Sequence, residues 1–136
     1  MEPNFIDTNV FVYHLTNNHP VYSPRCTALM EQIEAGEIIA VTAITAVDET
    51  LRVLTKAFGR ARSDAAHALT RLMRHPEIGI DHREAVLDAI DFWAKQSPLS
   101  FADCYHLALA YSLRMAAIYT YDRKMGRYPG MERIEP

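Results

Sequence analysis

Apolar and polar positions along this 136-residue chain switch repeatedly between two periods. Short runs rich in β-branched and aromatic residues read as strands: Phe5-Ile6, Ile38 to Val41, Ile78 to Ile80, Ile118 to Tyr121, and a last one around Arg133-Ile134. Between them the spacing becomes helical. A short helix is predicted over Val10 to Leu15, ended by the breaker Asn17-Asn18-His19-Pro20. Ser23-Pro24 has the form of an N-cap followed by proline at the first helical position, with Gly36 as the stop. Thr42 is placed to cap a helix whose apolar stripe is Ile44, Val47, Leu51, Leu54 and Phe58, ending at Gly59. Ser63 is placed to cap another, through about Arg74. Asp81 to Glu84 has capping-box spacing ahead of a helix carrying Val86, Leu87, Ile90 and Trp93, closed by Ser97-Pro98. Ser100 to Asp103 repeats that spacing before a helix reaching about Arg114. Arg123 to Gly130 reads as a polar turn.

Strands alternating with helices predict an α/β fold, a parallel sheet covered on both faces. The length, with 49% hydrophobic residues, is that of one globular domain, residues 1–136. No apolar run approaches the roughly 18 residues of a membrane span, and the N-terminus lacks a signal-peptide pattern. A soluble, cytoplasmic protein without membrane association is expected. Cys26 and Cys104 stand in no CxxC spacing and beside no histidine pair, so they are read as reduced, half-buried helix residues.

In parallel sheets, ligands bind beyond the carboxyl ends of the strands. Asp7 and Asp122 each follow a predicted strand there and would face each other if the first and fourth strands are neighbours. Asp103 falls in the first turn of its helix and Glu49 in the second turn of its own. Each has an ordinary alternative: Asp7 as a helix cap, Asp103 as the capping-box partner of Ser100, Asp122 as a turn residue, Glu49 as an exposed acid pairing with Arg52. As a group they read differently. Four unneutralised carboxylates would repel by about 4 kcal/mol per pair at about 4 Å and an effective dielectric near 20, which a cation offsets. An all-oxygen ligand set selects a hard ion, Mg²⁺ or Mn²⁺. The six histidines are scattered, and Tyr105, Tyr111, Tyr119 and Tyr121 are expected at core or half-buried positions.

The net charge of −3 conceals a pattern. Arg52 to His75 holds six basic residues against one acid, whereas Glu77 to Asp103 holds six acids against two bases. Two bound divalent cations would turn −3 into +1, so the resting sum does not exclude a nucleic-acid partner.

Phe5-Ile6-Asp7-Thr8-Asn9, Ala46 to Leu54 around Glu49, Phe101-Ala102-Asp103 with His106 to Ala110, and Tyr119 to Arg123 resemble, in order, the motifs of PIN-domain proteins. More narrowly the chain is similar to the VapC toxins of prokaryotic toxin–antitoxin pairs, from residue 4 to residue 136. The resemblance implies a PIN-like three-layer αβα sandwich with a central five-stranded parallel sheet, and an Mg²⁺- or Mn²⁺-dependent endoribonuclease cutting structured RNA. It implies Asp7, Glu49, Asp103 and Asp122 as catalytic metal ligands, with Thr8, Asn9 and Thr120 in support. Asp48, beside Glu49, is the one competing carboxylate, and the helical phase of the motif favours Glu49. A homodimer is implied too, silenced by a VapB-like antitoxin whose C-terminal tail covers the groove. Arg52, Lys56, Arg60, Arg62 and Arg123 are the candidates for the RNA path. Two enzyme-like rivals lack a residue. A haloacid-dehalogenase-like phosphatase needs an acid where Asn9 stands, and a receiver domain needs a lysine after a late strand. A catalytically silent PIN-like binding module is the remaining alternative.

Overall fold

The computed structural model describes residues 1–95 and 98–136. Contacts gather into two compact units, Met1–Asp81 and His82–Pro136.

The first unit is built on a parallel three-stranded sheet, β1 (Asn4–Phe5), β2 (Ala40–Val41) and β3 (Ile78–Gly79), in the order β1-β2-β3. Asn4 aligns with Ala40 and Ala40 with Ile78. The formal strands are short because the chain turns into helices almost at once, but the ladder continues past them: the Ile6 amide donates to Val41 O (2.8 Å) and the Thr42 amide to Gly79 O (2.8 Å). Gly79 has a steric reason. A Cβ there would stand 3.0 Å from Val41 Cγ1, so the Val41 side chain would have to give way by a few tenths of an ångström.

Two helices join each pair of strands, α1 (Thr8–Thr16) and α2 (Tyr22–Glu34) before β2, then α3 (Ile44–Lys56) and α4 (Arg62–Met73) before β3. α3 buries Val47, Leu51 and Leu54 completely or nearly so, as the apolar stripe predicts. Phe11, Ile33, Leu69 and Met73 complete the interior of the unit.

Several predicted helix starts are displaced. α2 begins before Ser23, which is buried inside the helix with its hydroxyl accepting from the His19 amide (3.2 Å). Thr42 does not cap α3. It is buried, and its hydroxyl donates across the sheet to Ile6 O (3.0 Å), leaving Ala43 at the cap. α4 starts at Arg62 with Ala61 at the cap, one residue before Ser63. Thr42 is drawn away by a tertiary neighbour, which local spacing does not contain, and Ser23 by an amide four residues before it. Gly36, with φ +75°, does follow the end of α2 as expected of a stop.

The second unit contains α5 (Arg83–Lys95), α6 (Phe101–Ser112), β4 (Ala117–Tyr119) and β5 (Glu132–Ile134). α5 begins at Arg83, after His82 at φ 54°, one residue later than an Asp81 cap would place it. The expected Ser97 end of this helix lies outside the described residues. α5 packs along α6, and Ala85, Val86, Ala89, Ile90 and Trp93 on the first helix and Cys104, Leu107 and Ala108 on the second are all buried. Cys26 is half-buried, as expected, and Cys104 is fully buried.

β4 and β5 form a parallel two-stranded ladder with Ile118 opposite Arg133. About a dozen residues is the minimum for a parallel crossover, and residues 120–131 achieve it with a 3₁₀ turn at Arg123–Arg127. Gly130 (φ +83°) seats Tyr111, since a Cβ there would stand 2.7 Å from its ring. Tyr111, Tyr119 and Tyr121 are 52%, 75% and 69% exposed, which corrects their expected core placement. β4 is half-buried at Ala117 and Ile118 and exposed at Tyr119, and β5 is half-buried only at Arg133. Tyr105 alone of the four is half-buried.

The ladders are thus parallel, as the α/β pattern predicts, and are made as a three-stranded and a two-stranded sheet. No helix among the described residues is long and apolar enough to cross a membrane.

Candidate active site

β1 delivers Asp7 to its carboxyl end, where the chain turns into α1. Asp7 is the helix N-cap, with extended backbone (φ −89°, ψ 166°) and its Oδ1 accepting from the Thr8 amide at 2.8 Å. This cap takes the amide of the first helical residue, where an ordinary one reaches the second or third. One oxygen of Asp7 is occupied and the other is left to the exposed side.

Thr8 is buried, and its hydroxyl donates to Glu49 Oε2 at 2.7 Å. A residue at the start of α1 is thereby tied to the middle of α3. The bond also separates the two adjacent acids of α3. Asp48 pairs with Arg52 along the helix (3.0 Å), whereas Glu49 turns to Thr8. The expected Glu49–Arg52 pairing is therefore replaced by Asp48–Arg52, because the i,i+4 spacing brings those side chains together on the solvent face.

Asp7, Thr8, Asn9 and Glu49 line one cleft of about 420 Å³, together with Asn18 and the apolar Val12, Tyr13, Val53 and Phe58. Sequence reading missed the last five. A signal existed for three of them: Val12 and Tyr13 lie three and four residues after Asn9, and Val53 four after Glu49, so helical spacing puts them on the faces that carry the polar residues. Phe58 was assigned to the core stripe, but α3 ends at Lys56 and Phe58 is 38% exposed.

In the second unit, the Ser100 hydroxyl caps α6 by accepting from the Asp103 amide (3.1 Å). The return bond of a capping box, in which the Ser100 amide would donate to the Asp103 carboxylate, is not made, and that half-buried carboxylate has no hydrogen-bond or ion-pair partner among the described residues. Asp122 follows β4 and caps the 3₁₀ turn, its Oδ1 accepting from the Lys124 amide (3.0 Å) and its Oδ2 standing 3.9 Å from Lys124 Nζ. The Thr120 hydroxyl accepts from the Asp122 amide at 3.0 Å, which holds the backbone that presents the acid.

The basic candidates separate by exposure. Arg52 and Lys56 are exposed on α3, Arg52 within its pair to Asp48. Arg60 is half-buried and donates to Leu15 O (3.2 Å), so it ties the end of α1 to the loop after α3. Arg62 is half-buried at the start of α4, and Arg123 is exposed beside Asp122. Burial pushes the Cys26 thiol up, away from a reactive thiolate.

Within neither unit do three His, Cys, Asp or Glu side chains among the described residues gather as a metal cage. The donor set still suits a hard cation. Mg²⁺ is commonly held by one or two carboxylates with waters and substrate phosphates completing its shell, and Asp7 and Glu49 each keep one oxygen free of hydrogen bonds from the described residues in the same cleft.

No curated protein matches the chain. The PIN domain family, in general a nuclease fold and typically dependent on divalent metal, matches residues 5–131, from β1 to the approach to β5, and the chain belongs to that family.

Proposed function

We propose that this protein is an endoribonuclease that hydrolyses RNA phosphodiester bonds with Mg²⁺ or Mn²⁺. The observation that carries the reading is the pairing of Asp7 and Glu49 in one cleft through Thr8. Two carboxylates from distant points of the chain, positioned by a buried hydroxyl, are an arrangement that helix capping alone does not require. The metal, when bound, supplies neutralisation of phosphate charge and acidification of a water for in-line attack. The chain's own residues do the rest. Thr8 fixes the Glu49 carboxylate, the N-terminus of α1 favours an anionic phosphate, and the Asn9 side chain borders the cleft as a hydrogen-bonding group.

The reading assigns Asp103 and Asp122 as further catalytic acids, with Thr120 supporting Asp122. It also takes the chain as one PIN domain with a single central five-stranded sheet. Arg52 and Lys56, with Arg62 and Arg123, are the residues for the RNA backbone. Arg60 is the weakest of the five, since a phosphate contact would cost its bond to Leu15. The ordered motifs resembling VapC support a biological role as the toxin of a toxin–antitoxin pair, a cytoplasmic homodimer held silent by a VapB-like antitoxin.

The test is incubation of total RNA with purified protein in Mn²⁺, in EDTA, and with Asp7→Asn, followed by sequencing of the fragment ends. Discrete fragments requiring both metal and Asp7 are expected. Intact RNA in every condition, from protein shown free of antitoxin, would favour the silent binding module.

A further inference from the structure

The cleft that holds Asp7 and Glu49 has a second half that the carboxylates do not use. Tyr13, Val53 and Phe58 form an apolar wall there, and Asn18 stands at its edge. Phe58 lies beyond the end of α3 and is 38% exposed.

Tyr13 is braced from behind. Its ring meets His19 at 5.6 Å and 71° and Tyr22 at 5.5 Å and 67°, while His19 and Tyr22 stack on each other at 4.0 Å and 6°. The imidazole is itself fixed, because its Nδ1 accepts from the backbone amides of Val21 (3.2 Å) and Tyr22 (2.9 Å), which places the ring proton on Nε2. The loop between α1 and α2 therefore holds three rings in a defined arrangement, and the one that lines the cleft is Tyr13. Asn18 is oriented too. The Thr16 hydroxyl, which lies 2.7 Å from Val12 O, also lies 2.9 Å from Asn18 Oδ1, and the Asn18 amino group has no protein partner among the described residues.

We propose that this half of the cleft is a nucleobase subsite, which takes one unpaired base next to the phosphodiester held at Asp7 and Glu49. The base lies against Tyr13 and Phe58, and the Asn18 amino group donates to its edge. The inference rests on the nuclease reading and narrows its substrate to RNA that presents a single-stranded nucleotide at the cut. Three features carry it together. The wall is continuous with the carboxylates, so a group packed on it must adjoin the scissile phosphate. The cleft volume lies in the range of small-molecule pockets, which suits a nucleotide. The lining combines a preorganised aromatic ring with one outward amide, which matches the flat apolar face and polar edge of a base. A base inside a duplex is stacked on both faces and paired at that edge, so it cannot enter.

The test uses a pool of single-stranded RNA with randomised bases and the same pool annealed to its complement, both with Mn²⁺, read by sequencing the fragment ends. Wild-type protein is expected to cut the single strands, spare the duplex, and show a base preference at one position flanking the cut. Replacing that nucleotide by an abasic one in a preferred strand should raise KM about 10- to 100-fold with little change in kcat. Tyr13→Leu should raise KM on the intact strand and remove the abasic penalty, Tyr13→Phe should restore both, and Asn18→Ala should flatten the base preference. Phe58→Ala repeats the stacking test at an exposed position, so the outcome does not depend on the tolerance of α1 for Tyr13→Leu. Equal cutting of intact and abasic strands by wild type, an undiminished abasic penalty in both Tyr13→Leu and Phe58→Ala, or duplex cut as fast as single strand would overturn the subsite while leaving the nuclease standing. Cleavage of no RNA by wild type would instead remove the nuclease reading, and the subsite with it.

Discussion

Asp7 and Asp122 occupy the same position in the chain's grammar. Each is an aspartate that follows a short parallel strand, caps the helical turn after it, and has a threonine close by. Their surroundings differ in reach. The threonine next to Asp7 bonds Glu49, forty-one residues away from it in sequence, whereas Thr120 bonds the Asp122 amide two residues on. Asp122 closes on itself through Thr120 and Lys124, and Asp7 opens onto a cleft assembled from two helices and the loop after each. A capping aspartate is thus neither evidence for chemistry nor against it. What distinguishes the two is whether the neighbouring hydroxyl is used locally or across the fold.

The sharpest break of this comparison is Asp7→Asn. Asparagine caps as well as aspartate, so the fold should survive with an unchanged melting temperature while metal-dependent RNA cleavage disappears; a protein that melts early would make Asp7 a structural cap. Thr8→Val comes next, because it removes the bond that orients Glu49 and keeps the shape of the side chain. Cleavage should fall about 10- to 100-fold, as for the outer partners of metal ligands, and unchanged kinetics would mean that Glu49 needs no orientation. Asp122→Asn retains the cap on Lys124 and so reads the charge alone. A fall in cleavage at constant stability is the expected outcome, and full activity would leave Asp122 as a turn residue.

Smaller effects should separate the two surroundings thermodynamically. Thr120→Val removes one hydrogen bond and should cost about 1 kcal/mol in denaturant unfolding, with no change in the metal-induced rise in melting temperature that Thr8→Val should diminish. The pH limits should differ as well. Burial lowers the His14 pKa, against opposing pulls from Glu34 and Glu31, so the folded state favours the neutral imidazole. His14 therefore contributes stability above its ordinary value of 6.5 that is lost as pH falls through the lowered value, and His14→Gln should flatten the acid limb of a stability–pH curve. Tyr128 is shifted the other way, up, chiefly by burial and then by Asp88 and Tyr111. Its contribution is present below pH 10 and lost as pH rises through the raised value, so Tyr128→Phe should flatten the alkaline limb.

The alternation of strand and helix, the apolar stripe of α3 and the Ser100 cap of α6 were legible because each depends on residues within a turn or two of one another. So was the placement of Asp7 and Asp122 at strand ends. The starts of α2, α3 and α4 were not: Thr42 is drawn across the sheet to Ile6, Ser23 lies inside its helix facing back to the His19 amide, and Ala61 in place of Ser63 stands at the start of α4. The choice between Asp48 and Glu49 had no local answer either. Both are acids on one helix, and only the approach of Thr8 makes them different.

By itself, then, the sequence determined which elements form and that Asp7, Ser100 and Asp122 stand at their ends, because helix periodicity, strand alternation and capping are short-range properties of a chain. Tertiary structure decided which of those residues meet. The Thr8–Glu49 bond, the braced Tyr13 ring and the cleft they share depend on how α1 lies against α3 and on the loop before α2, and such contacts are set by the packing of side chains far apart in sequence.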